Sequence, residues 1–236
     1  LRNRLRAARE KLFALQDSFF DIMVMCELPQ PKPSYVLFRG EYNLRDAQVT
    51  AGTPAVLSPF PEDQAKNRLG LARWTVAREH PLTARVTVNR VWQSIFGRGL
   101  VKTSEDFGSQ GSRPNYQDVL DSLAIRFVDS GWDMKGLVKT ILMSETYQQQ
   151  SVAADRALMI DDPENDLLAR GPRFRLSAEM IRDNALAISG LIDFTMGGAP
   201  VNPYEMSESF KPTKPTDGNG VYRRSVYTNW RRTGPP

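Results

Sequence analysis

Two residue types that carry much of enzyme chemistry are almost missing: among 236 residues there is one cysteine, Cys26, and one histidine, His80. A lone thiol closes no internal disulfide, builds no Cys-rich zinc or iron–sulfur site and cannot supply the cysteine pair of a haem c attachment motif. A lone imidazole excludes histidine-rich metal sites, and any Ser-His-Asp or Cys-His catalysis has to run through His80. Long apolar runs are missing too. The longest uncharged one near the start, residues 22–26, falls far short of the roughly 20 residues that cross a bilayer as a helix. Composition is ordinary at 41% hydrophobic and 25% charged residues, which excludes a disordered or collagen-like chain. At this length one large or two small domains can bury a core without a disulfide or metal staple.

What is present is basic at both ends. Residues 1–11 carry five cations against one carboxylate and residues 211–236 six against one, yet the whole chain reaches only +4, so the middle is net acidic. Such ends attract phosphate or an acidic polymer. A charge of +4 over 236 residues is too dilute for a dedicated nucleic-acid binder. The chain opens at Leu1 and stops in Gly234-Pro235-Pro236, and reads as a piece of a longer polypeptide.

Leu5, Ala8, Leu12 and Leu15 recur at three- and four-residue steps between arginines, which predicts an amphipathic helix over residues 2–16. Residues 21–27 are β-rich in type and precede Pro29, Pro31 and Pro33; they read as a strand, with residues 35–40 as its partner in a small sheet or hairpin. Residues 41–61, punctuated by Gly52, Pro54, Pro59 and Pro61, read as an irregular surface segment. Five helices are then predicted: from a cap at Asp63 to Glu79, from Pro81 to a stop at Gly97, from Pro114 to Gly131, from a cap at Asp133 to about Tyr147, and from a cap at Ser177 through Ile188 to Gly190. Residues 148–155 and the stretch beyond Gly198 read as loops, and residues 221–230, with Val226 and Tyr227, as a last strand. The expected fold is therefore mainly α with a small β component (α+β), an irregular, loop-rich helical domain. Its expected segments are residues 1–62 (helix, short strands, proline-rich stretch), 63–200 (helical core) and 201–236 (basic loop and strand).

The run His80-Pro81-Leu82-Thr83-Ala84-Arg85-Val86-Thr87-Val88-Asn89-Arg90-Val91-Trp92, followed by Phe96-Gly97-Arg98-Gly99-Leu100-Val101 and Asp106-Phe107-Gly108, resembles the planctomycete-type domain family of unknown function called DUF1553 or PSD1. Further matches are Met23-Val24-Met25, Val36-Leu37-Phe38-Arg39-Gly40, Gly131-Trp132, Ser144-Glu145-Thr146-Tyr147, Glu179 with Arg182 and Asp183, Met196-Gly197-Gly198 and Tyr222-Arg223-Arg224-Ser225-Val226-Tyr227. The similarity covers nearly the whole chain, although Tyr116-Gln117 stands where the family pattern carries His-Pro. The resemblance implies context more than chemistry. It implies a large exported protein, periplasmic or extracellular, in which this domain follows a companion DUF1549 domain, often with a cytochrome c-like domain upstream. The implied partners are those domains, and haem c would sit in the linked domain, with no cofactor in this chain.

Several constellations could carry chemistry. Arg85, Asn89 and Trp92 share one helix face, with Arg90 about 100° round from Asn89. This face can act as a sugar or anion clamp, or its arginines can pair with Asp106, Glu179 or Asp183 and hold helices in register; the second reading is preferred. Glu179 and Asp183 form an i, i+4 carboxylate pair beside Arg182, suited to acid–base work or a metal but more simply read as helix charges. Residues 217–220, Asp-Gly-Asn-Gly, lack the further ligands of an EF-hand loop and read as a turn. His80 reads as a cap or packing residue, and Cys26 as a buried small hydrophobe. Arg223, Arg224, Arg231 and Arg232, interleaved with Tyr222, Tyr227 and Trp230, suit an acidic polysaccharide, nucleic acid or an acidic protein surface, or a solvated basic edge strand. No catalytic residue and no metal ligand is assigned. The functional expectation is a binding or assembly module in an exported, haem-associated protein; the alternative is a carbohydrate-active, oxidative enzyme domain passing electrons to a linked cytochrome c domain. The expected interface joins Arg85 and Asn89 to residues 179–183.

Overall fold

Helices form where apolar residues recur at helical spacing and a short polar side chain closes the first turn. A computed structural model describes residues 2–19, 22–152, 156–207, 209 and 211–230. Among these the chain makes eight helices and two two-stranded sheets, a mainly α fold with a small β part. It divides into two compact units, residues 1–88 with 121–132 and residues 89–120 with 133–236.

The first unit opens with α1 (Arg2–Asp17), none of whose residues is buried. Strands β1 (Ser34–Leu37) and β2 (Arg45–Val49) pair antiparallel, with Ser34 opposite Val49 and Tyr35 opposite Gln48. The strand expected at residues 21–27 does not form: residues 22–27 carry no regular secondary structure, Met23 is fully exposed, and Asp21 lies outside the described residues. The tight turn Phe38–Gly40, with Arg39 at φ 51° and Gly40 at φ 78°, returns the chain onto β1 directly, so β1 takes its partner from the C-terminal side of that turn. Cys26 is correspondingly exposed, not buried. Helix α2 (Arg68–Thr75) begins later than Asp63 because Asn67 supplies the cap, its Oδ1 accepting from Gly70 N at 2.9 Å.

Trp74 of α2 is buried and donates its indole N–H to Ser58 O at 2.9 Å. The ring of His80 meets it edge-on at 4.6 Å. His80 Nδ1 in turn accepts from Thr83 N at 3.3 Å and Leu82 N at 3.4 Å at the start of α3 (Thr83–Phe96), the capping and packing part expected of it. Within this unit Arg85 Nε donates to Asp121 Oδ1 at 2.6 Å, and Arg78 pairs with Asp129 of α4 (Gln117–Asp129).

In the second unit, α5 (Met134–Leu142) is capped by Asp133 and α8 (Ala178–Ile188) by Ser177, whose side chains accept from Gly136 N and Met180 N. The helix expected to reach Tyr147 breaks at Ser144, which caps the separate turn α6 (Glu145–Gln148) by accepting from Tyr147 N at 3.3 Å. A short helix, α7 (Arg156–Asp161), comes next. Trp92, Leu100, Val101, Leu120, Leu137 and Ile141 are buried here. Each such aliphatic side chain contributes about 1.5–3 kcal/mol relative to exposure. Residues 221–230 form no strand. They make 3-10 turns, Asn219–Tyr222 and Ser225–Tyr227, while β3 (Tyr204–Met206) and β4 (Pro212–Pro215) pair in the stretch expected to be loop. The carbonyls of Val221 and Arg223, which a strand would offer to a neighbour, are taken instead by Arg182 of α8.

Candidate functional site

The second half of α3 sets the site. Asn89, fully buried, lies where a core residue would be expected, and its amide clips the chain that leaves the helix. Nδ2 donates to Val101 O and to Ser104 Oγ, both at 3.0 Å, and Oδ1 accepts from Val101 N at 2.8 Å. Gly97, at φ 79°, ends the helix. Gly99 leaves room for the clip, since a Cβ there would stand 2.7 Å from Asn89 Nδ2 and 2.5 Å from Val101 O. Arg98 and Lys102, on either side of this bend, project toward residues 162–173.

That segment is a loop closed on itself. Asp162, buried, accepts from Asp166 N at 2.7 Å and Leu167 N at 2.9 Å. Burial pushes its carboxyl up, but those two N–H bonds and the nearby Arg170 outweigh burial and hold it below the usual carboxylate range. Asn165 Nδ2 donates to Arg170 O at 2.9 Å, and Arg170 Nη2 donates to Asp162 O at 2.7 Å and Pro163 O at 2.9 Å.

Between α3 and this loop lies a cavity of about 210 Å³. Trp92, Phe96 and Tyr116 give it aromatic lining, and Trp92 stacks on Phe96 at 4.2 Å. Four cations, Arg98, Lys102, Arg170 and Arg173, face two carboxylates, Glu164 and Asp166, an excess of two positive charges. Arg98 bonds Glu164, and Lys102 bonds Asp166 at 2.8 Å. The Arg98 bond holds the Glu164 carboxyl below its ordinary value, and the Asp166 bond holds the Lys102 ammonium above its own. Arg170 is 7% exposed, and its Nη1 is closed to solvent without a hydrogen-bond partner.

A second cluster joins α8 to the end of the described chain. Arg182 Nη2 donates to Val221 O at 2.6 Å, and Nη1 to Arg223 O at 2.9 Å and Ser225 Oγ at 3.1 Å. Asp183 Oδ1 accepts from Ser225 N at 2.8 Å and Ser225 Oγ at 2.7 Å. Arg223 is likewise engaged by backbone, donating to Thr195 O, Gly197 O and Ala199 O and lying 4.2 Å over the ring of Tyr227, whose hydroxyl accepts from Gly197 N. Glu179, Asp183 and Trp230 line an open cleft, with Trp230 61% exposed.

The residues singled out from the sequence thus fall into separate settings. Trp92 lines the cavity and Asn89 stands behind it, but Arg85 bonds Asp121 in the first unit, and Arg90 is exposed. Asp106 shapes its own loop, its Oδ1 accepting from Gly108 N at 2.7 Å. The pairing of Asn89 with residues 179–183 does not form; the amide of Asn89 is taken by Val101 and Ser104, and Asp183 by Ser225. Arg224 is half-buried, and Arg231 and Arg232 lie outside the described residues. Sequence reasoning missed Asp162, Glu164, Asp166 and Arg170, although Asp162-Pro163 and Gly171-Pro172 bracketing a charged stretch signal an ordered turn. Among the described residues no group of three or more His, Cys, Asp or Glu side chains could hold a metal ion, and no helix is long and apolar enough to cross a membrane.

The structure is mainly helical, with arginines threaded through backbone carbonyls and the bend at residues 96–101 clipped by a buried asparagine. The family described as PSD1, protein of unknown function (DUF1553), matches residues 67–236, and the chain belongs to it. No curated protein and no solved structure matches the chain.

Proposed function

We propose that this domain is a binding module whose cavity between α3 and the 162–173 loop takes a carboxylated sugar unit of an acidic polysaccharide. The carrying observation is Arg170, a buried guanidinium with one N–H lacking an acceptor beside aromatic lining. Such an orphan donor costs about 1–3 kcal/mol, which an incoming carboxylate oxygen would offset. The excess of two positive charges in the lining, one of them offset by the ionised Asp162 behind Arg170, still favours an anion, and Phe96 and Tyr116 suit the apolar side of a sugar ring. Because Nη1 is closed to solvent, the ligand must displace a lining side chain to reach it; Lys102, Asn115, Met159, Glu164 and Arg173 are among the exposed ones.

Binding is preferred to acid–base catalysis because Glu164 and Lys102 are shifted away from neutrality, Glu164 down and Lys102 up. A general acid or base at working pH needs the opposite. In the setting that the family resemblance implies, the module would hold an exported protein, with its DUF1549-like and cytochrome c-like domains, on its substrate polymer.

Calorimetric titration with trigalacturonate, using galactotriose as the uncharged control, tests the reading. The charged trimer alone should bind, and Arg170→Met should weaken it by about tenfold or more, with Arg170→Lys intermediate and both variants folded by circular dichroism. Equal binding of the two trimers, or unchanged binding by folded Arg170→Met, overturns it.

A further inference from the structure

The cleft beside α8 has the opposite charge from the cavity. It is open, about 510 Å³ in volume, and among the described residues its lining holds two carboxylates, Glu179 and Asp183, and no cationic side chain. Arg182, on the same helix, does not line it, because its guanidinium is turned into the carbonyls of Val221 and Arg223. The floor includes Thr228, 8% exposed, whose Oγ1 is closed to solvent and lacks a hydrogen-bond partner. Met180, half exposed, and Trp230 form an apolar rim.

We propose that this cleft is a receptor for the side-chain ammonium of a lysine presented by a protein partner. An ammonium has three N–H donors and no acceptor. The cleft offers three acceptors for them: the Glu179 carboxylate, which also accepts from Ser177, the Oδ2 of Asp183, whose Oδ1 is occupied by Ser225 and by Arg182 at 3.5 Å, and the orphan hydroxyl of Thr228. Residues four apart on a helix have Cβ atoms about 5–6 Å from each other, so Glu179 and Asp183 stand on one face within reach of a single ammonium. The alkyl stem of lysine lies against Met180 and Trp230, the indole adding cation–π attraction. An anion is disfavoured by the carboxylates, and a neutral hydroxyl would leave the charge of Glu179 uncompensated, since Arg182 pairs only with Asp183. The exposed Trp230 and Met180 are the side chains that move to admit the ammonium to Thr228.

The test is a two-dimensional ¹H–¹⁵N NMR titration of the 236-residue chain with Nα-acetyl-lysine N-methylamide, with the uncharged norleucine analogue as control. The lysine derivative should shift the Trp230 indole and the Ser225 and Thr228 amides with a Kd in the millimolar range, as expected of one small cationic group. Glu179→Gln should weaken binding about tenfold, the loss of a charge-assisted hydrogen bond. Thr228→Val should weaken it about fivefold while leaving the melting temperature unchanged or higher, because it removes a buried hydroxyl that has no partner. Absence of shifts, equal shifts with norleucine, or unchanged affinity in Glu179→Gln overturns the proposal.

Discussion

Arg182 and Arg170 stand in the same unit, and backbone carbonyls capture both guanidinium groups. They differ in what is left over. Both Nη atoms of Arg182 are engaged, by Val221, Arg223 and Ser225, whereas Nη1 of Arg170 has no partner. A cation whose terminal donors are all engaged is a fastener; a buried one that keeps a donor in reserve at a cavity wall is half of a recognition pair. The count of partners separates the two uses.

The largest expected effect lies at the fully partnered extreme. Asn89→Ala removes the clip, leaves Val101 N buried without a partner and leaves Val101 O with only the 3.5 Å bond from Ser104 Oγ, so the chain should lose about 3–5 kcal/mol of stability in urea unfolding. A loss below about 1 kcal/mol would break the distinction, since the amide would then be replaceable by water. Next comes Arg182→Met, which frees the carbonyls of Val221 and Arg223. It should cost about 2 kcal/mol and raise amide exchange at Ser225, with trigalacturonate binding unchanged. Binding lost in that variant while it stays folded would merge the fastener with the site.

The smallest effect is acid sensitivity at the cavity. Arg98 keeps Glu164 ionised below its ordinary range. A carboxylate lowered in this way contributes stability that is present above its unfolded pKa of about 4.3 and lost as pH falls through the lower folded value. Between pH 6 and pH 3 the urea midpoint of wild type should therefore fall further than that of Glu164→Gln, which has no carboxyl to protonate. Parallel declines would show that the Arg98 pair is decoupled from folding.

Local signals were legible in the sequence. Asp133 and Ser177 cap their helices, and Gly97, Gly131 and Gly190 end theirs at positive φ, because caps and stops depend on a few adjacent residues. Asn89 stood out as a polar residue in a core-like helix, and it is buried. Its partners were not legible, since Val101 and Ser104 reach it only through the bend after α3. The same limit applies to Arg182, whose part depends on where residues 221–225 arrive, forty residues on in the chain. The 162–173 loop has neither helical nor strand period, so pattern reading passed over the residues that make the cavity.

The loop of Asp162 and Arg170 is also held from outside itself: Gln149 Nε2 donates to Leu168 O and Gly171 N to Gln150 O, both at 2.9 Å. With Asn165 and Leu168 already fixed at positive φ, its conformational entropy is lost when the chain folds, not when a ligand arrives. Recognition at this wall should therefore move side chains but little backbone, with differences between ligands expressed mainly in how fast they leave.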